Sequence, residues 1–174
     1  NQKMKKIYNN LTVDNLMKTN WFNQFTSSEQ EEIREGLEAN IDVSIYANPE
    51  YYWKQMKEIR LGLEKKLDVS MYAKPEYDNE QMYQIRTGLE KGLDISIYAK
   101  KEFNEHQMEQ IRLGLEANLN VSIYATIDFN GNQMREIRLG LENNLDISLY
   151  ATPEVSTLKM EEIRLKLLRE STLK

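Results

Sequence analysis

Six arginines stand at one interval. Arg34, Arg60, Arg86, Arg112, Arg138 and Arg164 are each 26 residues apart, and five of them are followed four residues later by Glu38, Glu64, Glu90, Glu116 and Glu142. Charges at that spacing meet on a helix, but Arg placed N-terminal to Glu is the weaker orientation, worth a few tenths of a kcal/mol at best. Pairing between adjacent repeats, Arg of one unit with a Glu or a capping Asp of the next, is the better reason for the column. We therefore expect a structural ladder; the competing reading is a guanidinium stripe that reads phosphates.

Other chemistry-bearing types repeat in the same way. Tyr46, Tyr72, Tyr98, Tyr124 and Tyr150 form a column that could stack nucleobases, but beside small Ala47 and Ala73 it suits a core with the hydroxyl satisfied at its edge. Ser44, Ser70, Ser96, Ser122 and Ser148 recur two residues after a cap position in every unit, which is turn chemistry rather than a set of nucleophiles. His106 is the one histidine, cysteine is absent, and no Asp-x-Asp-x-Asp-Gly calcium loop occurs. No catalytic, metal-binding or cofactor-binding residues are expected, and the chain does not read as an enzyme.

The elements that carry these columns follow from the period. Ile-Arg-x-Gly-Leu-Glu returns at Ile33, Ile59, Ile85, Ile111 and Ile137, with a decayed copy at Ile163, the mark of a solenoid of stacked units. Within the unit from Asp78 to Phe103, Asp78-Asn-Glu-Gln81 has capping-box form. Met82, Ile85, Leu89 and Leu93 then make one apolar stripe. The column Asn40, Lys66, Gly92, Asn118 and Asn144 suits a left-handed residue that ends the helix. Five glycines, Gly36, Gly62, Gly88, Gly114 and Gly140, fall in mid-helix at about 1 kcal/mol each. Close approach of a neighbouring helix explains them best. Met56, Met82, Met108, Met134 and Met160 read as core filling.

The run after each helix, such as Leu93 to Ala99, alternates like a strand. It also carries a good N-cap, Asp94, with Ile95, Tyr98 and Ala99 at helical spacing. Strands stacked about 4.8 Å apart would line up Asp42, Asp68 and Asp94 as like charges, so a short second helix is preferred. The fold expected is an all-α solenoid of 26-residue units, each a long helix plus a short helix, with a short strand as the alternative. Residues 1–25 form a divergent N-terminal cap, 26–162 the tandem repeats and 163–174 a decayed terminal repeat. All three prolines (Pro49, Pro75, Pro153) share one linker column, and Phe25, Tyr51, Tyr77, Phe103 and Phe129 precede the caps as staples.

Composition bounds the partners. Lys+Arg 23 against Asp+Glu 28 gives a net charge of -5, the wrong sign for a nucleic-acid binder and too small for a DNA mimic. Absence of cysteine suits a reducing interior, no apolar run reaches membrane-spanning length, and Asn1 to Asn10 has no signal-peptide core. A monomer in the cytoplasm is expected. The opening on Asn and the trailing Ser171 to Lys174 fit a piece of a longer chain.

The run Gln-Met-x-x-Ile-Arg-x-Gly-Leu-Glu-x-x-Leu-Asp-[Val/Ile]-Ser-x-Tyr-Ala, as at Gln81 to Ala99, resembles a tandem-repeat tract of low-GC Gram-positive bacteria, their phages and conjugative elements. The resemblance spans roughly Thr26 to Leu168. It implies a mobile-element setting, where counter-defence proteins such as anti-CRISPRs are common. Function then reads as a non-enzymatic interaction scaffold with a protein partner; the alternative is a helical-repeat reader of single-stranded nucleic acid. Exposed columns that differ between units are the candidate contacts: Trp53, Lys54, Tyr83, His106 and Arg135, with Lys65, Lys66 and Lys91 beside them.

Overall fold

A computed structural model describes residues 12–173 of the chain. It divides into two compact units, residues 1–86 and 87–174. Eight α-helices and five single 3-10 turns account for the regular structure of the described residues, with no strand among them. The fold is all-α, and the strand alternative is not needed.

In the first unit, α1 (Val13–Met17) and α2 (Asn20–Asn23) are short, capped by Thr12 and Thr19. They bury Leu16 and Phe22, with Phe25 just beyond, and Trp21 stands edge-on to Phe25. This is the described part of the divergent cap; residues 1–11 lie outside the described residues. Then α3 (Ser27–Glu38) packs on α4 (Trp53–Glu64), and α5 (Asn79–Glu90) crosses the unit boundary. In the second unit α6 (Glu105–Glu116), α7 (Gly131–Glu142) and α8 (Thr157–Thr172) pack in succession. Each unit thus stacks equivalent long helices one after the next, the solenoid pattern.

Helix starts follow the capping signals. Asn104 Oδ1 accepts from the Gln107 N–H at 2.9 Å while the Asn104 N–H donates to Gln107 Oε1 at 2.9 Å, so two first-turn donors are satisfied at once. Thr26, Asp78 and Asn130 do the same. Helix ends follow the left-handed column: Asn40, Lys66, Gly92, Asn118 and Asn144 all have φ between 54° and 69°. Leu93 N–H then donates to Gly88 O at 3.0 Å and Gly92 N–H to Leu89 O at 3.1 Å, a Schellman closure repeated in every full unit. At α8 the corresponding residue is Glu170, and the helix runs on to Thr172.

The segment after each long helix is a single 3-10 turn, at Val43–Ile45, Val69–Met71, Ile95–Ile97, Val121–Ile123 and Ile147–Leu149. Asp42, Asp68, Asp94 and Asp146 cap it by accepting from the serine N–H two residues on. The helix stops after one turn because the tyrosine that follows leaves the helical region. Tyr124 has φ -125°, and its ring turns back onto its own long helix.

That ring decides the glycine column. Tyr124 donates its hydroxyl to the Gln110 carbonyl at 2.6 Å, and Tyr46, Tyr72 and Tyr150 do likewise to Glu32, Glu58 and Glu136. A Cβ on Gly36, Gly62, Gly88, Gly114 or Gly140 would overlap the tyrosine hydroxyl of the same repeat and the β-branched residue that opens its 3-10 turn. The expected close approach is present, but the neighbour is the repeat's own tyrosine, not a second helix. The Tyr, Met and Ile columns are fully buried, apart from Ile163 in α8. That helix carries Lys166 where the others have glycine.

Candidate partner-binding surface

Repeats grip one another through two polar side chains per long helix. The first is the glutamine of the capping box. While its Oε1 accepts from the cap N–H, the Nε2 of Gln107 donates to the Phe129 carbonyl of the following linker at 2.7 Å. Gln55 reaches Tyr77 O at 2.7 Å and Gln133 reaches Val155 O at 2.9 Å. One amide therefore caps its own helix and staples the next repeat. Glutamate at this position, as in Glu29, can do only the first.

The second grip is the arginine column. Arg60 is buried and fans across Glu32 of the preceding repeat, Glu35 beside it and Glu64 of its own helix, each at 2.8 Å. Burial works against its charge, but the carboxylates of Glu32 and Glu64 outweigh that and hold the guanidinium above its ordinary range. Arg86 meets Glu58 at 2.7 Å, Arg138 donates from its Nε to Gln110 Oε1 at 2.8 Å, and Arg164 meets Glu136 at 2.5 Å. The inter-repeat partner thus lies two residues before the arginine of the preceding repeat, at Glu32, Glu58, Gln110 and Glu136. The Glu38, Glu64, Glu116 and Glu142 column supplies the intrahelical contact, to Arg34, Arg60, Arg112 and Arg138. Glu90 and Arg86 complete the two columns on α5. Arg34, at the first repeat, is held by Glu31 and Glu38 on its own helix.

Both grips spend polar groups inward, which leaves the non-repeating positions at the surface. Trp53 opens α4 and is 38% exposed, with Lys54 Nζ 5.6 Å from its ring centroid. Tyr83 on α5 is 45% exposed and lies against the Arg86 guanidinium at 5.4 Å. These three candidates share the first unit. His106 and Arg135 belong to the second. His106 is exposed and lies over Gly131, where an added Cβ would come within 2.6 Å of the His106 Cβ. Arg135 is exposed and 3.4 Å from the buried carboxylate of Glu136. Lys91 pairs with Glu116 of the following repeat, and Lys66 occupies the left-handed end of α4.

Tyr52 escaped the sequence reading. It holds the N-cap position of α4, where Thr26, Asp78, Asn104, Asn130 and Ser156 stand in the other repeats, and it is 41% exposed. Its hydroxyl donates to Asn79 Oδ1 at 2.5 Å and accepts from the Asn79 N–H at 3.2 Å. The signal was in the cap column: Tyr52 is the residue there that cannot cap. A cleft of about 250 Å³ lies beside Trp53, bounded by Ser27, Ser28, Glu31 and Glu32. Among the described residues no three His, Asp or Glu side chains are grouped to hold a metal ion, and no helix is long and apolar enough to cross a membrane.

The chain matches no protein-family model, no curated protein and no solved structure.

Proposed function

We propose that the chain is a non-enzymatic scaffold that binds a partner protein through the exposed side chains its repeats do not share. The observation that carries this reading is where the shared polar groups go. The tyrosine hydroxyls donate to helix carbonyls, the glutamines cap and staple, and the arginines bind side-chain oxygens of their own and neighbouring helices. These repeated groups are engaged within and between the repeats, so recognition falls to Trp53, Lys54, Tyr83, His106 and Arg135. Exposed aromatic and arginine side chains are the types enriched among binding hot spots.

The scaffold would act as a monomer in the cytoplasm of a bacterium or of the host cell of a phage. The mobile-element setting implied by the repeat's resemblance makes a host protein, including a component of host defence, the natural partner. Recovery of bound proteins from such a host, followed by titration of the purified partner, tests the idea. Alanine at Trp53, Tyr83, His106 and Arg135 together should abolish binding and leave the thermal midpoint unchanged. Single-stranded DNA and RNA at low salt should bind only weakly; tight binding that weakens steeply with added salt would establish the nucleic-acid alternative instead.

A further inference from the structure

We infer that Tyr52, Trp53 and Tyr83, with Lys54 and Lys57, form a docking site for a segment of a partner protein that carries an apolar anchor and a carboxylate. The inference rests on the scaffold reading and names the place and chemistry of the contact.

A repeat array supplies its own controls. Among the cap positions of the six long helices, five hold a short polar side chain that accepts a first-turn N–H. Tyr52 does not, because its one oxygen sits at the far end of a ring; only the reach-back bond from its N–H to Gln55 Oε1, at 3.0 Å, remains. Helix α4 therefore starts with a weaker cap than its neighbours, at the one place where the cap residue is an exposed aromatic. The next position is Ser27, Asn79, Glu105, Gly131 or Thr157 elsewhere and Trp53 here. The Tyr83 position is Glu31, Lys57, Glu109, Arg135 or Glu161 elsewhere. Three departures from the repeat all replace polar or small residues by aromatics.

Tyr52 and Tyr83 are linked through α5. The Tyr52 hydroxyl is bonded to Asn79, and Tyr83 lies one turn beyond Asn79 on the same face of α5. On α4, Lys57 lies one turn beyond Trp53. Repeat two has lysine at both of these positions of its first turns, Lys54 and Lys57. Lys57 makes no ion pair among the described residues, and Lys54 rests on the Trp53 ring. Three nearby carboxylates are committed elsewhere: Glu58 to Arg86, Glu32 to Arg60 and Glu31 to Arg34. On α5 the position equivalent to Lys54 is Glu80, so the positive face is confined to α4. A partner carboxylate belongs over α4, and an apolar side chain against Trp53 at the cleft beside it. A nucleic-acid strand would need cations along both helices, and the arginine beside Tyr83 is engaged by Glu58.

The test is selection of short random peptides displayed on phage against the intact protein, followed by anisotropy titration of the enriched peptides. Enriched peptides should carry Asp or Glu next to an aromatic or large aliphatic residue. Trp53→Ala and Tyr83→Ala should each weaken them about 30-fold, the range of an interface anchor. Lys54→Glu with Lys57→Glu should abolish their binding and favour lysine-bearing peptides. Tyr52→Asn, which restores the cap, should bind more weakly while melting no lower than the parent, a combination that general loss of structure cannot produce. Enrichment of neutral or basic peptides, equal binding to the charge-reversed variant, no enrichment, or tighter binding of oligodeoxythymidylate would each overturn the site. A host partner that ignores these variants but depends on His106 and Arg135 would reject this site while leaving the scaffold reading in place. A host partner indifferent to every exposed column would reject both.

Discussion

The hydroxyl of Tyr124 occupies the space that a Cβ on Gly114 would fill, and from there it donates to the Gln110 carbonyl four residues earlier. The glycine costs helix propensity, about 1 kcal/mol relative to alanine. What it gains is a fully buried tyrosine that locks the 3-10 turn onto its own helix.

Gly114→Ala should therefore destabilise despite better propensity, by about 1–3 kcal/mol, the usual cost of overpacking. Tyr124→Phe alone should cost about 1 kcal/mol for the lost hydrogen bond. The double variant should be more stable than the sum of the two predicts, because the ring without its oxygen relieves part of the clash. Chemical denaturation of the four proteins reads the coupling, and strict additivity would show that the two positions do not touch.

Gln107→Glu separates the two duties of one side chain. A carboxylate still accepts the Asn104 N–H, as Glu29 does for Thr26, but it cannot donate to Phe129 O. It would set an acceptor against an acceptor in a buried place, at a cost of about 1–3 kcal/mol. Glu29→Gln, which adds the missing donor, should not destabilise. Equal effects at both sites would show that the staple contributes nothing.

The arginine column should respond according to the partner left behind. Arg60→Ala strands Glu32, which is 6% exposed, and should cost about 3 kcal/mol or more. Leu168 stands where the other helices carry the intrahelical glutamate, which by itself makes Arg164→Ala milder than a mid-array change such as Arg86→Ala. Arg164 holds Glu136, which is 1% exposed, so we expect its loss to cost about as much as that of Arg60, reduced to the extent that Arg135 moves in. Thermal melts of the three variants decide between the orders.

Alkali should unfold the protein from the tyrosines outward. Burial raises the pKa of Tyr46, Tyr98 and Tyr124 far above the ordinary value and pushes Tyr150 up to about 12. A folded pKa above the unfolded one means that this stability is complete below about pH 10. It falls as pH rises from there through the folded values. Denaturation midpoints should be flat across neutral pH with respect to these groups and drop steeply above about pH 10. Tyr150→Phe should soften the drop, and an unchanged profile in that variant would assign it to other groups.

The helices were legible because their signals are local. A cap box, an apolar stripe and a left-handed terminator occupy consecutive positions, and the five left-handed residues fall where the pattern put them. The grips between repeats were less legible because each joins residues 20 to 28 apart whose side chains serve two purposes. Gln107 looks like an ordinary capping-box residue until its amide nitrogen is seen on the next linker. The Arg and Glu columns were visible and do meet along their own helices, but the acceptor of the preceding repeat was not. Position Glu32, which reads Gln at Gln84 and Gln110, has no fixed charge and so gave no ladder to notice. Tyr52 was missed because aromatic residues fill its preceding position in most repeats, and two in succession read as linker packing.

Every inter-repeat bond described reaches one period forward or back and no further. A repeat is thus a cassette whose edges match those of any other full repeat. Excision of 26 residues from Asn104 to Phe129 would bring Phe103 and Asn130 together and leave cap, staple and socket intact on both sides. Length can then change by whole repeats without a new interface having to arise. The aromatic patch, confined to two repeats, would survive such an event on its far side unaltered. In a chain of this kind, reach and recognition can be inherited separately.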